Sequence, residues 1–253
     1  MISDFVASSE QTSQQLSQQP SQQEVQELFN QIAPMYDRLN DWLSLGQHRV
    51  WKKMAIAWTN PKAGDTYLDL CCGSGDVAMM LARKIANKNH TGQVFGVDFS
   101  ESQLAIACHR TQSLPHLQPY LTWQQGDALH LEFPDQTFDG ATLSYGLRNV
   151  LDIPKCLAEL YRVLKPKAVV AILDFHRPSN PQTQQFQQFY LNNLVVPIAK
   201  LWNLEQEYAY LMPSLQRFPI GSDQVKLAIA SGFSKATHYP ILAGLMGILV
   251  LTK

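Results

Sequence analysis

Tyr67-Leu68-Asp69-Leu70-Cys71-Cys72-Gly73-Ser74-Gly75-Asp76 is the stretch on which the fold turns. A short apolar run of strand length meets two glycines one residue apart, and a helical pattern opens at Asp76. Glycine permits the tight turn and lets the backbone come close to a ligand. Outward from this loop, strands and helices alternate. The pattern predicts strands over 66–71, 93–98, 120–125, 140–143 and 169–174, with helices over 76–86, 102–111 and 154–164. Such alternation implies α/β architecture, a mainly parallel sheet with helices on both faces. A helix over 222–231, stopped by Gly232, precedes two strand-like runs, 234–239 and 245–251, close enough to pair antiparallel.

The flanks read differently. In residues 1–24, 13 positions are Ser or Gln, and too few side chains are apolar to offset ordering entropy. This segment is expected to be a disordered tail. Residues 25–62 form an aromatic-rich helical leader, with Val25, Leu28, Phe29 and Ile32 at helical spacing and a second helix over 47–58. Residues 63–253 make the main domain, with a helical insertion around 178–218; its first part, 178–199, carries no charge, and Phe186, Phe189, Tyr190 and Leu194 share one stripe.

Composition narrows the function. The 253 residues carry 20 Lys+Arg against 21 Asp+Glu, and only 16 % are charged; glutamine, at 25 positions, supplies the polarity. A net charge of −1 argues against nucleic acid as a partner, since that needs a basic face to displace counterions. The four cysteines show neither a CxxC pair nor metal-ligand spacing, so no metal is expected and a reducing, cytoplasmic setting is. No apolar run of spanning length is present.

The loop's neighbours define its chemistry. Asp98 ends the next strand, where a carboxylate accepts bonds from two ribose hydroxyls. Gly126-Asp127-Ala128 follows the third strand and is placed to meet an adenine edge. The glycine loop alone suits NAD as well as S-adenosylmethionine, and the 126–128 run is one of three details that favour S-adenosylmethionine. Against NAD, Ala78 holds the third position of GxGxxG, and Asp76 brings negative charge to the helix N-terminus where a pyrophosphate would sit. A sulfonium ligand with an α-amino group instead gains from Asp69 and Asp76.

These residues resemble a family. Gly73-Ser74-Gly75-Asp76, Asp98-Phe99-Ser100-Glu101-Ser102, Gly126-Asp127-Ala128 and Phe133-Pro134-Asp135-Gln136-Thr137-Phe138-Asp139 look like class I methyltransferases. Leu143-Ser144-Tyr145-Gly146-Leu147-Arg148-Asn149-Val150, Tyr161-Arg162-Val163-Leu164-Lys165-Pro166 and the leader Ala33-Pro34-Met35-Tyr36-Asp37-Arg38-Leu39-Asn40 are similar to the UbiE/MenG/COQ5 quinone C-methyltransferases. Within that family, Glu207 through Ser214 and Gly244 through Gly247 are more similar to the cyanobacterial and plant phylloquinone branch. The resemblance spans residues 25–253. One departure is Lys165-Pro166-Lys167-Ala168, where the family has Lys-Pro-Gly-Gly, so this turn must take another conformation.

The resemblance implies a class I S-adenosylmethionine-dependent methyltransferase fold: a mainly parallel seven-stranded sheet, an antiparallel C-terminal strand and an N-terminal helical lid. It implies C-methylation of a prenylated naphthoquinol, demethylphylloquinol to phylloquinol or demethylmenaquinol to menaquinol, with S-adenosyl-L-homocysteine as by-product. Benzoquinol methylation in ubiquinone synthesis, an NAD-binding oxidoreductase and a non-catalytic cofactor-binding partner are the alternatives. Expected cofactor-binding residues are Asp69, Gly73, Ser74, Gly75, Asp98, Asp127, Ala128 and Ser144. Expected catalytic residues are Arg148, as a fixed cation beside the quinolate, His176, as a general base, and Tyr145, lining the ring pocket. His48 and Tyr36 are expected on the lid. The apolar tail of the acceptor implies peripheral contact with a thylakoid or plasma membrane, the 186–194 stripe with Val195, Val196 and Trp202 being the candidate surface. A quinone reductase is the implied upstream partner.

Overall fold

A computed structural model describes residues 46–87, 91–178, 180–190 and 213–253, together with Gln26, Glu27, Asn30 and Asn193. The tail, residues 25, 28, 29 and 31–45 of the leader (Tyr36 among them), the side chains of Phe186 and Tyr190, and Leu194, Val195, Val196 and Trp202 lie outside these residues. The expectations resting on them are therefore not addressed by the structure.

Helix α1 (Gln47–Thr59) comes first, followed by β1 (Thr66–Leu70), α2 (Asp76–Ile85), β2 (Gln93–Asp98), α3 (Glu101–Gln112), β3 (Leu121–Gln125), β4 (Phe138–Ser144) and α4 (Ile153–Val163). Then come β5 (Leu164–Phe175), α5 (Pro181–Tyr190), α6 (Gly221–Ala230), β6 (Lys235–Ile241) and β7 (Met246–Thr252). Among the described residues the strands form one seven-stranded sheet in the order β3-β2-β1-β4-β5-β7-β6. The pairs from β3 through β5 are parallel, whereas β7 runs antiparallel to both its neighbours.

Local sequence explains the boundaries. Gly75 caps α2 at φ +84°, and a Cβ there would lie 2.4 Å from the Trp123 ring, so both the turn and the space require glycine. Ser100 caps α3 by accepting from the Gln103 amide at 3.2 Å, and Asp152 caps α4 by accepting from the Lys155 amide at 3.0 Å. Where the family's glycine pair is missing, Lys167 takes φ +69° itself and β4–β5 pairing shifts register between Phe138 and Gly140. The Lys167 amide donates to the Lys253 carbonyl, so this bend is held by the end of β7.

Helices cover both faces of the central strands, and β1 and β5 read as near-continuous apolar runs for that reason. Leu68, Leu143, Val170 and Ile172 pack with Leu157, Leu160 and Phe233 on one side. On the other, Val77, Leu81 and Ile85 of α2 pack with Tyr67, Val94 and Tyr120. Helix α1 belongs to this framework: Ala55 sits with Leu173, Met246 and Ile248, and the Tyr67 hydroxyl donates to the Thr59 carbonyl at 2.9 Å. The described half of the leader is thus a layer packed on the sheet.

Candidate cofactor site

Four strand ends and residues of three helices build a cavity at the carboxyl edge of the sheet, where open α/β sheets hold their ligands. Its walls are the β1–α2 loop, the end of β2, residues 126–129 after β3, and residues 144–151 after β4; Lys52 of α1 and Gln103 of α3 complete it. The backbone is strained at two of these ends. Cys71 and Tyr145 adopt φ +54° and +63°, left-handed conformations that non-glycine residues rarely take. A Cβ on Gly146 would sit 2.5 Å from that of Cys71, so the two turns interlock.

Most of the expected cofactor residues come together here. Asp98 anchors the loops: one carboxylate oxygen accepts from the Gly73 amide at 2.8 Å, the other from the Ser100 amide at 2.9 Å. Asp127 accepts from the Leu129 amide at 2.9 Å and lines the wall with Ala128. Ser74 lines the cavity and accepts from Arg110 through its hydroxyl at 2.8 Å. Gly75 does not line it; it makes the turn behind it.

Asp69 is 1 % exposed and accepts from the Thr142 hydroxyl at 2.7 Å through one oxygen only. Its other oxygen, the Ser144 hydroxyl, and the side-chain carbonyl oxygens of Gln103 and Asn149 are all buried without a hydrogen-bond partner. All four residues line the cavity. Buried polar atoms are normally paired, so four orphans around one space mark a place built for a polar ligand.

Two expected catalytic residues are placed elsewhere. Arg148 does not reach the cavity wall; its guanidinium donates to Asp174 at 2.6 Å and to the Tyr145 carbonyl at 2.8 Å, and stacks 5.2 Å from the Phe175 ring. The reason is that Asp174 ends β5 beside the β4 exit loop and is 1 % exposed, so it needs a partner. His176 is likewise absent from the wall. It is buried between His238, with ring nitrogens 3.1 Å apart, and Phe218. Burial, with His238 adding to it, pushes His176 down to about 3, so its ring stays neutral. Tyr145 does line the cavity.

Lys52, Gln103 and Asn149 are site residues that the sequence reading did not single out. The signal for Lys52 was its helical spacing: it shares the buried face of α1 with His48, Ala55, Ile56 and Thr59. It donates to Asp76 at 3.0 Å, and Arg110 pairs with the other oxygen of the same carboxylate. Burial works against ionisation of Asp76, but these two cations together hold its carboxyl below the usual range. Asp76 is thus charge-matched, and its repulsion of a pyrophosphate is weaker than the sequence alone suggests.

Comparison with known proteins decides between the readings. The model of the ubiE/COQ5 methyltransferase family matches residues 17–253. This chain belongs to that family. The methyltransferase is 59 % identical over 229 residues, 90 % of this chain and 98 % of the relative, to the 2-phytyl-1,4-naphtoquinone methyltransferase of Nostoc punctiforme. It is 49 % identical over 228 residues, 89 % of this chain and 86 % of the relative, to the chloroplastic 2-phytyl-1,4-beta-naphthoquinone methyltransferase of Arabidopsis thaliana. In fold, it matches a SAM dependent methyltransferase from Aquifex aeolicus with a TM-score of 0.58 at 16 % identity, over 79 % of this chain and 88 % of that one.

The methyltransferase uses S-adenosylmethionine, and the cavity's donor set fits that group: unpaired buried acceptors for an ammonium, a carboxylate at the end of β2, and an Asp127-Ala128 wall. One consequence follows for pH. Burial raises the Asp69 carboxyl to about 7, against the Thr142 hydrogen bond and the Lys52 charge, and Asp98 is raised by burial too. With the folded value above the unfolded one, the fold holds a proton on Asp69 between about pH 4 and 7. A cationic ligand group beside Asp69 favours its ionised form and expels that proton. Affinity for S-adenosylhomocysteine is therefore expected to rise between pH 5.5 and 7.5, by up to ~10-fold per unit below the Asp69 value. Calorimetry in two buffers of different ionisation heat reads the proton release directly; zero release at pH 6.5 contradicts the assignment.

Proposed function

We propose that this methyltransferase transfers the methyl group of S-adenosylmethionine to a ring carbon of a prenylated naphthoquinol, the phytyl-bearing acceptor named for its relatives, giving phylloquinol. The orphaned acceptors Asp69, Ser144, Gln103 and Asn149 around one cavity carry the cofactor half of this reading. The 59 % identity carries the acceptor half. Bound S-adenosylmethionine supplies an electrophilic methyl group.

The protein's part is to bind, orient and exclude water. Asp98 receives the ribose hydroxyls, Asp127 and Ala128 receive the adenine, and Asp69 receives the α-ammonium, with Ser74 and Ser144 on the walls. Tyr145 presents its ring to the acceptor from the strained turn after β4. Arg148 acts through that turn: by fixing the Tyr145 carbonyl and Asp174 it is a positioning residue, not the cation that meets the quinolate. Burial against His238 and Phe218 supports reading His176 as a packing residue. Gln26 and Asn30 of the leader bond to Phe99 and Ser100 beside Asp98, which supports a leader that crosses the cavity edge.

The acceptor must be reduced, because only a quinol has the ring hydroxyl whose deprotonation makes the carbon nucleophilic; a quinone reductase therefore acts before this step. Among the described residues no helix is long and apolar enough to cross a membrane. Contact with a membrane surface follows from the acceptor's tail, and Phe189 on α5, 66 % exposed, is the described part of the surface proposed for it.

The test is incubation with methyl-labelled S-adenosylmethionine and paired acceptors: reduced and oxidised demethylphylloquinone, demethylmenaquinol and a prenylated benzoquinol. Label on the ring carbon of the reduced naphthoquinols alone is the expected result. Equal labelling of the oxidised form refutes the nucleophilic-carbon mechanism, and preferential labelling of the benzoquinol refutes the acceptor.

A further inference from the structure

We infer that Lys52 of α1 is the residue that reads the carboxylate of the cofactor's amino-acid end, so that selection for an intact zwitterion comes from the leader helix and not from the glycine loop. This rests on the S-adenosylmethionine reading above and adds a residue to it. Among the described residues that line the cavity, the acids are Asp69, Asp76, Asp98 and Asp127, and the one cation is Lys52. An amino-acid end presents an ammonium and a carboxylate on the same carbon. A site that binds both needs an anion and a cation side by side. Asp69, with a buried unpaired oxygen, is the anion; Lys52 is close enough to lower its carboxyl.

The lysine is poised for this use. Its side chain is only 10 % exposed, so water screens it weakly. One of its three N–H groups serves Asp76 at 3.0 Å, and the nitrogen lies 5.9 Å from the centre of the Tyr145 ring. Asp76 does not depend on Lys52 alone, since Arg110 also pairs with it. The trio of two cations and one anion therefore holds a surplus positive charge at the cavity edge. A ligand carboxylate completes it to neutrality.

The experiment is a calorimetric cycle of two proteins and two ligands. The proteins are wild type and Lys52→Met, which keeps the length and loses the charge. The ligands are S-adenosylhomocysteine and its decarboxylated analogue, which keeps the adenosine, sulfur and amine. Wild type is expected to prefer the carboxylate-bearing ligand by roughly tenfold to a hundredfold, the range for a hydrogen bond to a charged group. In Lys52→Met that preference should disappear through weaker binding of S-adenosylhomocysteine, while affinity for the analogue stays the same or improves. Lys52→Arg should restore most of the preference.

An equal preference in wild type and Lys52→Met overturns the assignment, as does an equal loss for both ligands, which marks a purely structural lysine. Should Lys52→Met not fold, Lys52→Gln takes its place with the same outcomes, and wild type decides by itself in one case: equal affinity for the two ligands overturns the proposal. Failure of wild type to bind either ligand instead counts against the cofactor reading itself and is distinguishable from all of these.

Discussion

Replacing Asp174 by alanine should unfold the protein far more readily than any change on its surface, lowering stability by ~3–5 kcal/mol, the cost of leaving one member of a buried ion pair alone. The carboxylate is 1 % exposed and its partner Arg148 has a side chain only 7 % exposed. Asp174 also accepts from the amides of Arg148 at 3.1 Å and Phe175 at 2.8 Å, so three donors lose their acceptor at once. A midpoint shift on the order of 10 °C in thermal unfolding is the readout. Removing both partners, as Arg148→Met with Asp174→Leu, should recover a large part of the loss, because the desolvation cost disappears with the pair. Arg148→Lys separates the remaining roles. As a positioning residue that acts through the Tyr145 turn and the buried pair, Arg148 should cost stability when replaced by lysine and lower kcat per folded molecule only modestly. A stable Arg148→Lys protein with a hundredfold lower kcat returns the guanidinium to the reacting atoms.

Asp98→Ala should weaken S-adenosylhomocysteine binding by ~10–100-fold, from the loss of a charged acceptor worth ~1.5–3 kcal/mol. The effect has two sources in this structure. Each carboxylate oxygen already holds one backbone amide, at Gly73 and at Ser100, and each keeps lone-pair capacity for a ligand hydroxyl. The alanine variant thus removes the ligand contact and also unpins the glycine loop that forms the opposite wall. Asp98→Asn, which can still accept from one amide, should lose less. Titration of the folded variants measures both, and unchanged affinity in Asp98→Ala rules out the ribose assignment.

The fold was largely legible because its signals are local. The β1–α2 loop, the Ser100 cap and the alternation of strand and helix each depend on residues a few positions apart. Boundaries slipped where charge disguised pairing. The pattern starts β4 at Gly140, after the charged Asp139, yet Asp139 accepts from the Thr66 amide at 2.9 Å and from Lys165 at 2.7 Å and belongs to the sheet. Lys165 and Lys167 hid the first third of β5 in the same way. In the site, the carboxylates that follow strand ends were legible from their position. Arg148 was not, because its partner lies 26 residues away and a sequence does not display the burial that joins them. Lys52 escaped because a lysine at helical spacing is ordinarily read as a snorkelling surface residue.

The place of β7 has a consequence for how the chain is made. It is seventh in sequence but lies between β5 and β6, pairing Val169 with Thr252 and Phe175 with Met246 along one side and Lys235 with Thr252 on the other. Until it emerges from the ribosome, β5 presents a long apolar edge, Val169 to Leu173, to any other nascent strand. Such an edge is the template from which aggregates grow. The contacts that seal it are also among the furthest apart in the sheet, so loop closure is slowest where protection is most needed. A chaperone that shields the β5 edge during synthesis should therefore raise the yield of native protein more than one that acts on the finished chain.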